Sequence, residues 1–394
     1  MRFKSSAFIV VALMLITPAA WSAQREEIPE GTSAAAEWEI PFLNTLTGPI
    51  ASIGEYLSWS ADKAVAEINA AGGINGAPVR IVHIDTGVSP EKAALEMARI
   101  ADTALVALGP VPEACILSAM PIAVQNEFLS MTASTTYEYA VEFFPWSISW
   151  YLPTETILPP VTEAWAGVHP DMKHVVQFLE KWACWPVMAE SHKEGLQNAR
   201  VTVTDVEVPL DAVTFGPLVV KALKENPDGI LLSVNAEKAA KIVLELKSRG
   251  WDDMSKILVF ISADDAPFYT TGGENINGVM IYNLIDPNRT TERWLRIVEA
   301  FKKDFNGLEP FALVTHYYDA VYMIKEAIEA TGVTGDPALL KEERIKVRDY
   351  CHNVKGFQGV MFEWDMKDGV PTNKPAFLFR IEDNKKVLVH TIEP

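Results

Sequence analysis

Residues 42–86 read FLNTLTGPIASIGEYLSWSADKAVAEINAAGGINGAPVRIVHIDT, and this stretch decides the fold of the chain. A short apolar strand leads into Gly48-Pro49, a helix follows, and the helix ends in the glycine-rich segment 68–76. A second strand begins at Pro78. The order of strand, loop, helix, glycine-rich stop and strand predicts the first βαβ unit of a parallel sheet.

The same alternation continues in two successive series. The first series predicts strands at 79–85, 104–109 and 128–132, with helices at 91–101 and 114–127. The second predicts strands at 173–179, 201–206, 229–234, 256–261 and 278–282, with helices at 186–199, 217–225 and 237–248. Two long helices, at 293–305 and 312–330, and two late strands, at 359–364 and 376–381, follow.

In the first series, the predicted strand at 104–109 is an unbroken apolar run, as a sheet covered on both faces requires. Two series of this kind predict an α/β protein with two doubly wound lobes. In such sheets, ligands bind where the carboxyl ends of the strands meet loops and helix N-termini. We therefore expect a site in the cleft between the lobes, with hinge closure around the ligand.

Composition narrows the class of protein further. The formal net charge is −18, which argues against a nucleic-acid surface because such a surface needs clustered Lys and Arg. After the N-terminus, no apolar run approaches the roughly 20 residues that span a bilayer. A chain of 394 residues exceeds one ordinary domain, which again favours two lobes.

The N-terminus has the pattern of a secretory signal peptide, predicted over residues 1–23. Arg2 and Lys4 precede an apolar segment at 7–16, and small residues follow it. The alternative is an uncleaved membrane anchor. The first cysteine is Cys115, so no lipid-anchoring cysteine stands at the cleavage site and we expect a protein free in a periplasm. Residues 24–36 are predicted to form a disordered tail.

The chain has three cysteines, Cys115, Cys184 and Cys351, which can form at most one internal disulfide whose pairing the sequence leaves open. No Cys/His cluster has metal-ligand spacing, so neither a metal nor a cofactor is expected. No GxGxxG, GxSxG or HExxH motif is present. The adjacent acids at 252–253 and 264–265 need not face one site, so catalysis is disfavoured.

Several sequence segments closely resemble those of one family, the bacterial periplasmic receptors of the leucine/isoleucine/valine-binding type. They are LTGPIASIGEY (46–56), EINAAGGINGAPV (67–79), DTGVSPEKA (85–93), the Gly109-Pro110 turn, residues 130–135, and the segment 317–321. The resemblance implies two Rossmann-like lobes joined by three crossovers, here near 144–148, 279–283 and 361–367. Lobe 1 would comprise 37–146 plus 283–362, and lobe 2 would comprise 147–282 plus 363–394.

The resemblance also implies a function. Such a receptor captures a solute, here an amino acid or an amino-acid-like molecule, and delivers it to the inner-membrane permease of an ABC importer. The expected partners are the small-molecule ligand and that permease, the expected state is a monomer, and no enzymatic activity is implied. A sensory receptor of the same fold is the alternative that the sequence leaves open.

Family members bind the ligand carboxylate in the first lobe, and this chain differs there in one position. The loop Ala133-Ser134-Thr135 matches the family. The serine expected after the preceding strand is replaced by Glu113. Two carboxylates a few Å apart repel by several kcal/mol at an intermediate dielectric, unless one is protonated. Glu113 therefore argues against an α-amino acid in the usual pose, unless it faces solvent or caps the following helix.

In the second lobe, Asp264 aligns with the acid that binds the ligand ammonium. The family's tyrosine after the first strand of this lobe is replaced by Cys184, which Trp182 and Trp185 flank. Asn235 stands where a tyrosine is common. These five positions join Glu113 and the 133–135 loop as the predicted ligand-binding residues.

Several tryptophans lie in the segments predicted to line the cleft, although each tryptophan side chain could instead belong to a hydrophobic core. Aromatic walls suit a flat ring by stacking or a cationic amine by cation–π attraction. Glu113 and Asp264 favour a cation, whereas Thr135 and the loop amides favour an anion. An aromatic or cationic amine compound is therefore the alternative ligand. The aromatic residues concerned are Trp146, Trp150, Tyr151, Trp182 and Trp185.

Overall fold

The computed structural model describes residues 36–134, 141–150, 154–181, 185–286, 289–310, 312–372 and 374–393, with the side chain of Trp185 outside the description. The predicted signal peptide and all but the last residue of the predicted tail lie outside the described residues. So do Thr135, Tyr151, Trp182 and Cys184.

The first sheet is entirely parallel and has the order β2-β1-β3-β4-β5. Its strands β1 and β2 pair in register from Trp38 opposite Val79 to Asn44 opposite Asp85. The predicted opening βαβ unit is confirmed, although its first strand begins before Phe42, at Trp38. The strands are β1 (Trp38–Asn44), β2 (Val79–Asp85), β3 (Val106–Leu108), β4 (Leu129–Thr132) and β5 (Ser147–Ser149).

The second sheet has seven strands in the order β16-β15-β10-β9-β8-β6-β7. Strands β6 to β10 are parallel, whereas β15 runs antiparallel to β10 and to β16. The strands are β6 (His174–Glu180), β7 (Thr202–Val208), β8 (Gly229–Ser233), β9 (Ile257–Val259), β10 (Met280–Asn283), β15 (Ala376–Glu382) and β16 (Lys385–Ile392).

Helices connect the strands and cover the sheets. The helices are α1 (Ala51–Ala70), α2 (Pro90–Ile100), α3 (Glu113–Gln125), α4 (Thr154–Val168), α5 (Trp185–Asn198), α6 (Gly216–Lys224), α7 (Ala236–Ser248), α8 (Ala266–Gly272), α9 (Glu292–Asp304), α10 (Ala312–Thr331) and α11 (Leu340–Asn353). Within the ranges described, no helix combines the length and apolarity that crossing a bilayer requires.

The glycine-rich stop after α1 has a steric reason. Gly73 has φ +77°, and a Cβ atom there would collide with the carbonyl oxygen of Ala77. The amide of Gly73 donates to the carbonyl of Ile68 at 2.9 Å, which closes the helix end. Glycine tolerates this left-handed conformation without strain, so the segment can turn tightly into β2.

The helix α10 lies against the first sheet and contributes to its core. Tyr317 is fully buried and its ring lies 4.6 Å from that of Phe42 in β1. Tyr318 also donates its hydroxyl to Glu67 of α1 at 2.6 Å. Burying one large apolar side chain stabilises a fold by about 1.5–3 kcal/mol, so the helix segment 317–321 is part of the framework of the first sheet.

The late strand predicted at 376–381 is confirmed as β15, whereas the one predicted at 359–364 is wrong. Only β11 (Phe357–Gln358) and β12 (Glu363–Trp364) are extended there, and they pair with each other outside both large sheets. The amide of Val360 donates to Asp319 at 2.8 Å, and the carbonyl of Gly359 accepts from Arg289 at 3.1 Å. Side chains thus satisfy the backbone that a sheet would otherwise pair.

A second small hairpin, β13 (Met366–Lys367) with β14 (Val370–Pro371), precedes β15. Strand β5 pairs with β4 in the first sheet, and β10 pairs with β9 in the second. The residue bounds of the two lobes and the three crossovers stay predictions. Cys115 and Cys351 are both buried with free thiols.

Candidate functional site

Polar side chains follow the carboxyl ends of the parallel strands in both sheets. Because ligands of open α/β sheets bind at these ends, they define the candidate site. At the first sheet, the relevant groups are Glu113 and Ser134, after β3 and β4. At the second sheet, they are Glu180, Asn235, Asp264 and Asn283, at the ends of β6, β8, β9 and β10.

The turn after β3 depends on a glycine. Gly109 has φ +82°, and a Cβ atom there would collide with the carbonyl oxygen of Leu43 in β1. The hydroxyl of Ser130 donates to the carbonyl of Gly109 at 2.7 Å. The peptide bonds before Pro110 and Pro112 are cis. The turn leads directly to Glu113, the first residue of α3.

Glu113 and Ser134, both predicted site residues, lie together in the structure. The hydroxyl of Ser134 donates to Oε1 of Glu113 at 3.3 Å. Glu113 is half-buried and Ser134 is buried. The Ser134 carbonyl accepts from the hydroxyl of Ser149 at 2.8 Å, which ties the loop to β5. The position of Glu113 at the start of α3 also stabilises its carboxylate through the helix dipole.

Two further positions of this loop, Ala133 and Thr135, were predicted to contact the ligand. Ala133 is half-buried and packs against the main core. Thr135, predicted to add a hydroxyl, lies outside the described residues.

At the second sheet, Asp264 is surrounded by donors from the protein itself. Its Oδ1 accepts from the hydroxyl of Tyr269 at 2.5 Å. Its Oδ2 accepts from the side-chain amide of Asn283 and from Nζ of Lys386, the latter at 2.5 Å. The side chain of Asp264 is 6% exposed and that of Lys386 is 34% exposed. Burial, together with the charge and the hydrogen bond of Asp264, raises the pKa of Tyr269, so the phenol stays a donor.

Asn235 caps a helix. Its Oδ1 accepts from the amide of Lys238 at 3.1 Å, in the first turn of α7. Its own amide donates to Oε2 of Glu180 at 2.9 Å, and its side-chain amide donates to Oε1 at 3.3 Å. These contacts orient Asn235 toward the protein, and its predicted contact with a ligand stays a prediction.

A buried ion pair beside Asn235 was missed by the sequence analysis. Nζ of Lys238 lies 2.5 Å from Oε1 of Glu180, and the side chains are 11% and 2% exposed. Nζ also donates to the carbonyls of Pro209 and Leu210, at 3.2 and 2.6 Å. Buried charges are tolerated when they are paired and hydrogen-bonded. An acid at the end of the buried strand β6 was the signal that could have indicated this pair.

The tryptophans at 146 and 150 do not form the predicted open aromatic wall, which corrects that expectation. Trp150 is fully buried, and its ring meets that of Trp364 edge-on at 5.0 Å. Trp146 is also buried, and the guanidinium of Arg348 lies 4.6 Å from its ring centroid. Both side chains are therefore part of the packing. The side chains of Trp182 and Trp185 lie outside the description.

A second buried ionisable group lies next to Trp150. Nζ of Lys374 donates to the Trp150 carbonyl at 3.0 Å and lies 3.0 Å from Nε2 of His316. It also lies 3.6 Å from the ring centroid of Trp364, within the range of cation–π attraction. Burial lowers the pKa of Lys374 and of His316 well below their ordinary values.

Asp319, on α10, belongs to the same cluster. Its carboxylate accepts from the Val360 amide at 2.8 Å and from Nε1 of Trp364 at 3.1 Å. Burial raises the pKa of Asp319 to about 7, although these hydrogen bonds and Lys374 act in the opposite direction. Among the described residues, no group of His, Cys, Asp or Glu side chains is arranged to hold a metal ion.

Comparison with known proteins agrees with this architecture. The sequence pattern of a family described as periplasmic binding protein matches residues 37–386. The Leu/Ile/Val-binding protein homolog 3 of Brucella melitensis biotype 1 is 22% identical over 363 residues, which cover 90% of this chain and 94% of that protein.

Solved structures share the fold at low sequence identity. A leucine binding protein, LivK, from Thermotoga maritima MSB8 has a TM-score of 0.76 at 21% identity, covering 91% of this chain and 99% of that chain. A solute binding protein of an ABC transporter from Rhodopseudomonas palustris BisB5, in complex with 3,4-dihydroxy benzoic acid, has a TM-score of 0.76 at 17% identity, covering 91% and 98%. The predicted α/β fold class is thereby confirmed.

Proposed function

The chain belongs to the periplasmic binding protein family, and we propose that it is the extracytoplasmic solute-binding receptor of an ABC importer. Its ligand is an amino acid or an amino-acid-like small molecule, captured in the cleft between two lobes by hinge closure. One observation carries the proposal: both parallel sheets present polar side chains at the carboxyl ends of their strands, where α/β proteins bind ligands. Glu113 and Ser134 lie at one sheet, and Asp264 lies at the other.

The relatives support the ligand class. The similar proteins whose names state a ligand include a Leu/Ile/Val-binding homologue and a leucine binding protein. Thr135, Trp182, Cys184 and Trp185 remain proposed ligand contacts, as do Ala133 and Asn235. We assign the protein no catalytic step.

Location and partner follow from the same proposal. A signal peptide over residues 1–23 would direct the chain across the inner membrane and be cleaved, and the absence of a cysteine before Cys115 supports release without a lipid anchor. The partner in transport is an inner-membrane permease, and the receptor acts as a monomer.

A thermal-unfolding panel tests the proposal. The chain without residues 1–23 is heated with amino acids, amines and aromatic acids, and with glucose as a control solute. Because a ligand that binds only the folded state stabilises it, about 100-fold excess over Kd adds about 2.7 kcal/mol. We expect a rise of the unfolding midpoint with an amino acid or a close analogue, and a smaller radius of gyration in X-ray scattering. A panel without any shift, and without compaction, contradicts the proposal.

The cationic amine class is a second candidate, and the position of Glu113 favours it. A negative charge at the start of α3 and beside the 133–134 loop attracts a cation rather than a carboxylate. Mass spectrometry of the small molecules that co-purify with the protein separates the two classes, because an amine without a carboxylate and an α-amino acid differ in mass and fragmentation.

A further inference from the structure

Three connections link the two sheets in the part of the chain that the structure describes. The first leads from β5 to α4, which packs against β15 of the second sheet. The second leads from β10 back to α9, whose Phe301 ring lies 5.5 Å from that of Tyr56 in α1. The third leads from β14 to β15, and the turn before β14 is bound to β5 because the amide of Ser149 donates to the Gly369 carbonyl at 2.7 Å. A movement of one sheet relative to the other must bend these connections.

Each connection contributes a polar group to one buried cluster. The carbonyl of Trp150, directly after β5, accepts from Nζ of Lys374, which shortly precedes β15, at 3.0 Å. Arg289, between β10 and α9, donates to the carbonyl of Val360, and the amide of Val360 donates to Asp319 at 2.8 Å. The charge of Asp319 acts on both Arg289 and Lys374, so the three connections meet around this carboxylate.

The cluster is fixed to the first sheet through α10. Asp319 and His316 are both fully buried residues of this helix, and Nζ of Lys374 lies 3.0 Å from Nε2 of His316. The neighbouring Tyr317 packs its ring 4.6 Å from that of Phe42 in β1. The cluster therefore belongs to the first sheet, and the chain continues from it into the second.

Lys374 is the side chain that joins most of these parts. It is 3% exposed, and its amino group lies 3.6 Å from the centroid of the Trp364 ring. It thus contacts the first connection, helix α10 and the small strand β12 at once. Without the amino group, the Trp150 carbonyl would lose a buried hydrogen bond, which folded chains rarely tolerate. The first and third connections would then no longer be held together.

We propose that Lys374 is a hinge anchor: it holds the first and third connections against α10, so that the two sheets rotate about this cluster instead of moving freely. Lys374 is then a positioning residue for ligand capture, although it is outside the set of predicted ligand-binding residues. Restricting the open state in this way reduces the conformational entropy that closure around a ligand costs. This inference rests on the proposed function, because hinge closure is part of that function.

Distances between two spin labels, measured by double electron–electron resonance, test the inference. In a Cys184→Ser background, Leu95→Cys on α2 and Val213→Cys after β7 carry the labels, because both positions are exposed. Strand β7 forms the edge of the second sheet that is opposite to β15 and β16, so a label beside it moves far when the sheet rotates about the cluster. Cys115 and Cys351 are buried and stay unlabelled in the native protein.

In the ligand-free protein, Lys374→Met should broaden the distribution of label distances, because the two connections can then move independently. Arg344→Met is the matched control. Arg344 is also 3% exposed and donates to the carbonyls of Ala101 and Ala104, at 2.7 and 2.9 Å. These contacts join α11 to the end of α2 and involve none of the three connections, so the control should leave the distribution unchanged.

A second variant guards against misfolding of the first. Lys374→Met/Asp319→Asn removes the acid together with the amine, so that no buried charge loses its partner. It should broaden the distribution as Lys374→Met does, because the Trp150 carbonyl and His316 lose the same contact. Unfolding midpoints verify that each variant is folded.

Calorimetric titration with L-leucine adds a readout that a loss of stability alone would not move. Lys374→Met should weaken leucine binding by roughly fivefold or more, the range of coupling typical between distant sites. Arg344→Met should leave the affinity unchanged. Leucine should also shorten the label distance in the wild type.

The outcomes separate this inference from the proposed function. If both Lys374 variants give the same distance distribution as Arg344→Met, the inference is overturned, and the receptor function stands wherever solutes bind. Leucine binding that Lys374→Met leaves unchanged, despite a broader distribution, also overturns it. If the distribution broadens but no solute of the panel, leucine included, changes the wild-type distance or unfolding midpoint, the receptor function is contradicted while the broadening supports the anchoring of the connections.

Discussion

At the end of β6, the Glu180 carboxylate accepts hydrogen bonds from Nζ of Lys238 and from the backbone and side-chain amides of Asn235. Each of these residues stands at the end of a strand or the start of a helix, where a ligand contact is expected from position alone. The structure shows that the polar groups at strand ends also hold loops to helices. Position along the chain therefore identifies candidates for a site, and contacts separate structural groups from binding groups.

The ion pair gives a prediction about stability. Lys238→Met leaves Glu180, 2% exposed, without its charged partner, and breaking such a pair costs about 3–5 kcal/mol. Urea denaturation measures the loss of unfolding free energy. Lys241→Met, on the same helix and paired with exposed Glu237, is the control and should leave the midpoint nearly unchanged. An equal effect of both variants would contradict the assignment.

The raised pKa of Asp319 gives a prediction about pH. The folded protein holds this proton up to about pH 7, whereas an unfolded chain releases it near pH 3.8. Its contribution to stability is therefore fully present below about pH 3.8 and is lost as pH rises to about 7, by at most about 1.4 kcal/mol per pH unit.

The measurement compares wild type with Asp319→Asn between pH 4 and 7.5 by urea denaturation. The variant cannot titrate there, so wild type should lose stability relative to it as pH rises. Both proteins keep His316 and Lys374, whose pKa values burial lowers. Because Lys374 is coupled to the Asp319 charge, the difference between the two proteins reports the titration of the Asp319–Lys374 pair. Parallel curves over this pH range would refute the assignment.

At the scale of elements, the turn between α1 and β2 can be tested with two neighbouring glycines. Both Gly72 and Gly73 have positive φ, but a Cβ atom at Gly72 meets open space while one at Gly73 collides with the Ala77 carbonyl. Gly73→Ala should therefore destabilise the protein by more than the roughly 1–3 kcal/mol of a strained backbone alone. Gly72→Ala isolates that strain as the control. Thermal unfolding of both variants measures the loss of stability. Equal losses in the two variants would mean that a small backbone shift relieves the collision at Gly73.

Elements with a strong local pattern were predictable from the sequence. The helix stop near Gly73 and the strands that pair in the first sheet are encoded by residues close together in the chain. The strand predicted at 359–364 was wrong because apolar residues there resemble a strand, while Asp319 and Arg289 bind its backbone from distant positions. A pattern of apolar residues cannot show which groups satisfy the backbone.

At the scale of the whole molecule, the two buried cysteines provide a test of global stability. Cys115 and Cys351 are buried with free thiols, and burial raises the pKa of both. Since the thiolate is the reactive form, neither should react with a thiol reagent in the native protein. In a Cys184→Ser variant, labelling should follow the urea unfolding curve. Rapid labelling of either thiol without denaturant would contradict the burial of that residue.

The candidate site was partly predictable. Glu113 and Ser134 were both predicted as site residues, and the structure brings them together. Asp264 was predicted as an acid for a ligand, but its partner Lys386 comes from a strand 122 positions later in the chain. The pair Glu180 and Lys238 was missed because the two residues meet only after β6 and α7 fold side by side.

The α/β architecture can be inferred from the sequence alone, as can the alternation of elements in two series and the residue types at the strand ends. These features are local, because apolar periodicity, helix stops and turn residues act within a few positions. The partners of the polar groups, such as Lys386 for Asp264 and Ser134 for Glu113, become known only from the folded chain. The physical reason is that sheet order and strand register bring distant residues together, and the charge balance of the site depends on those distant contacts.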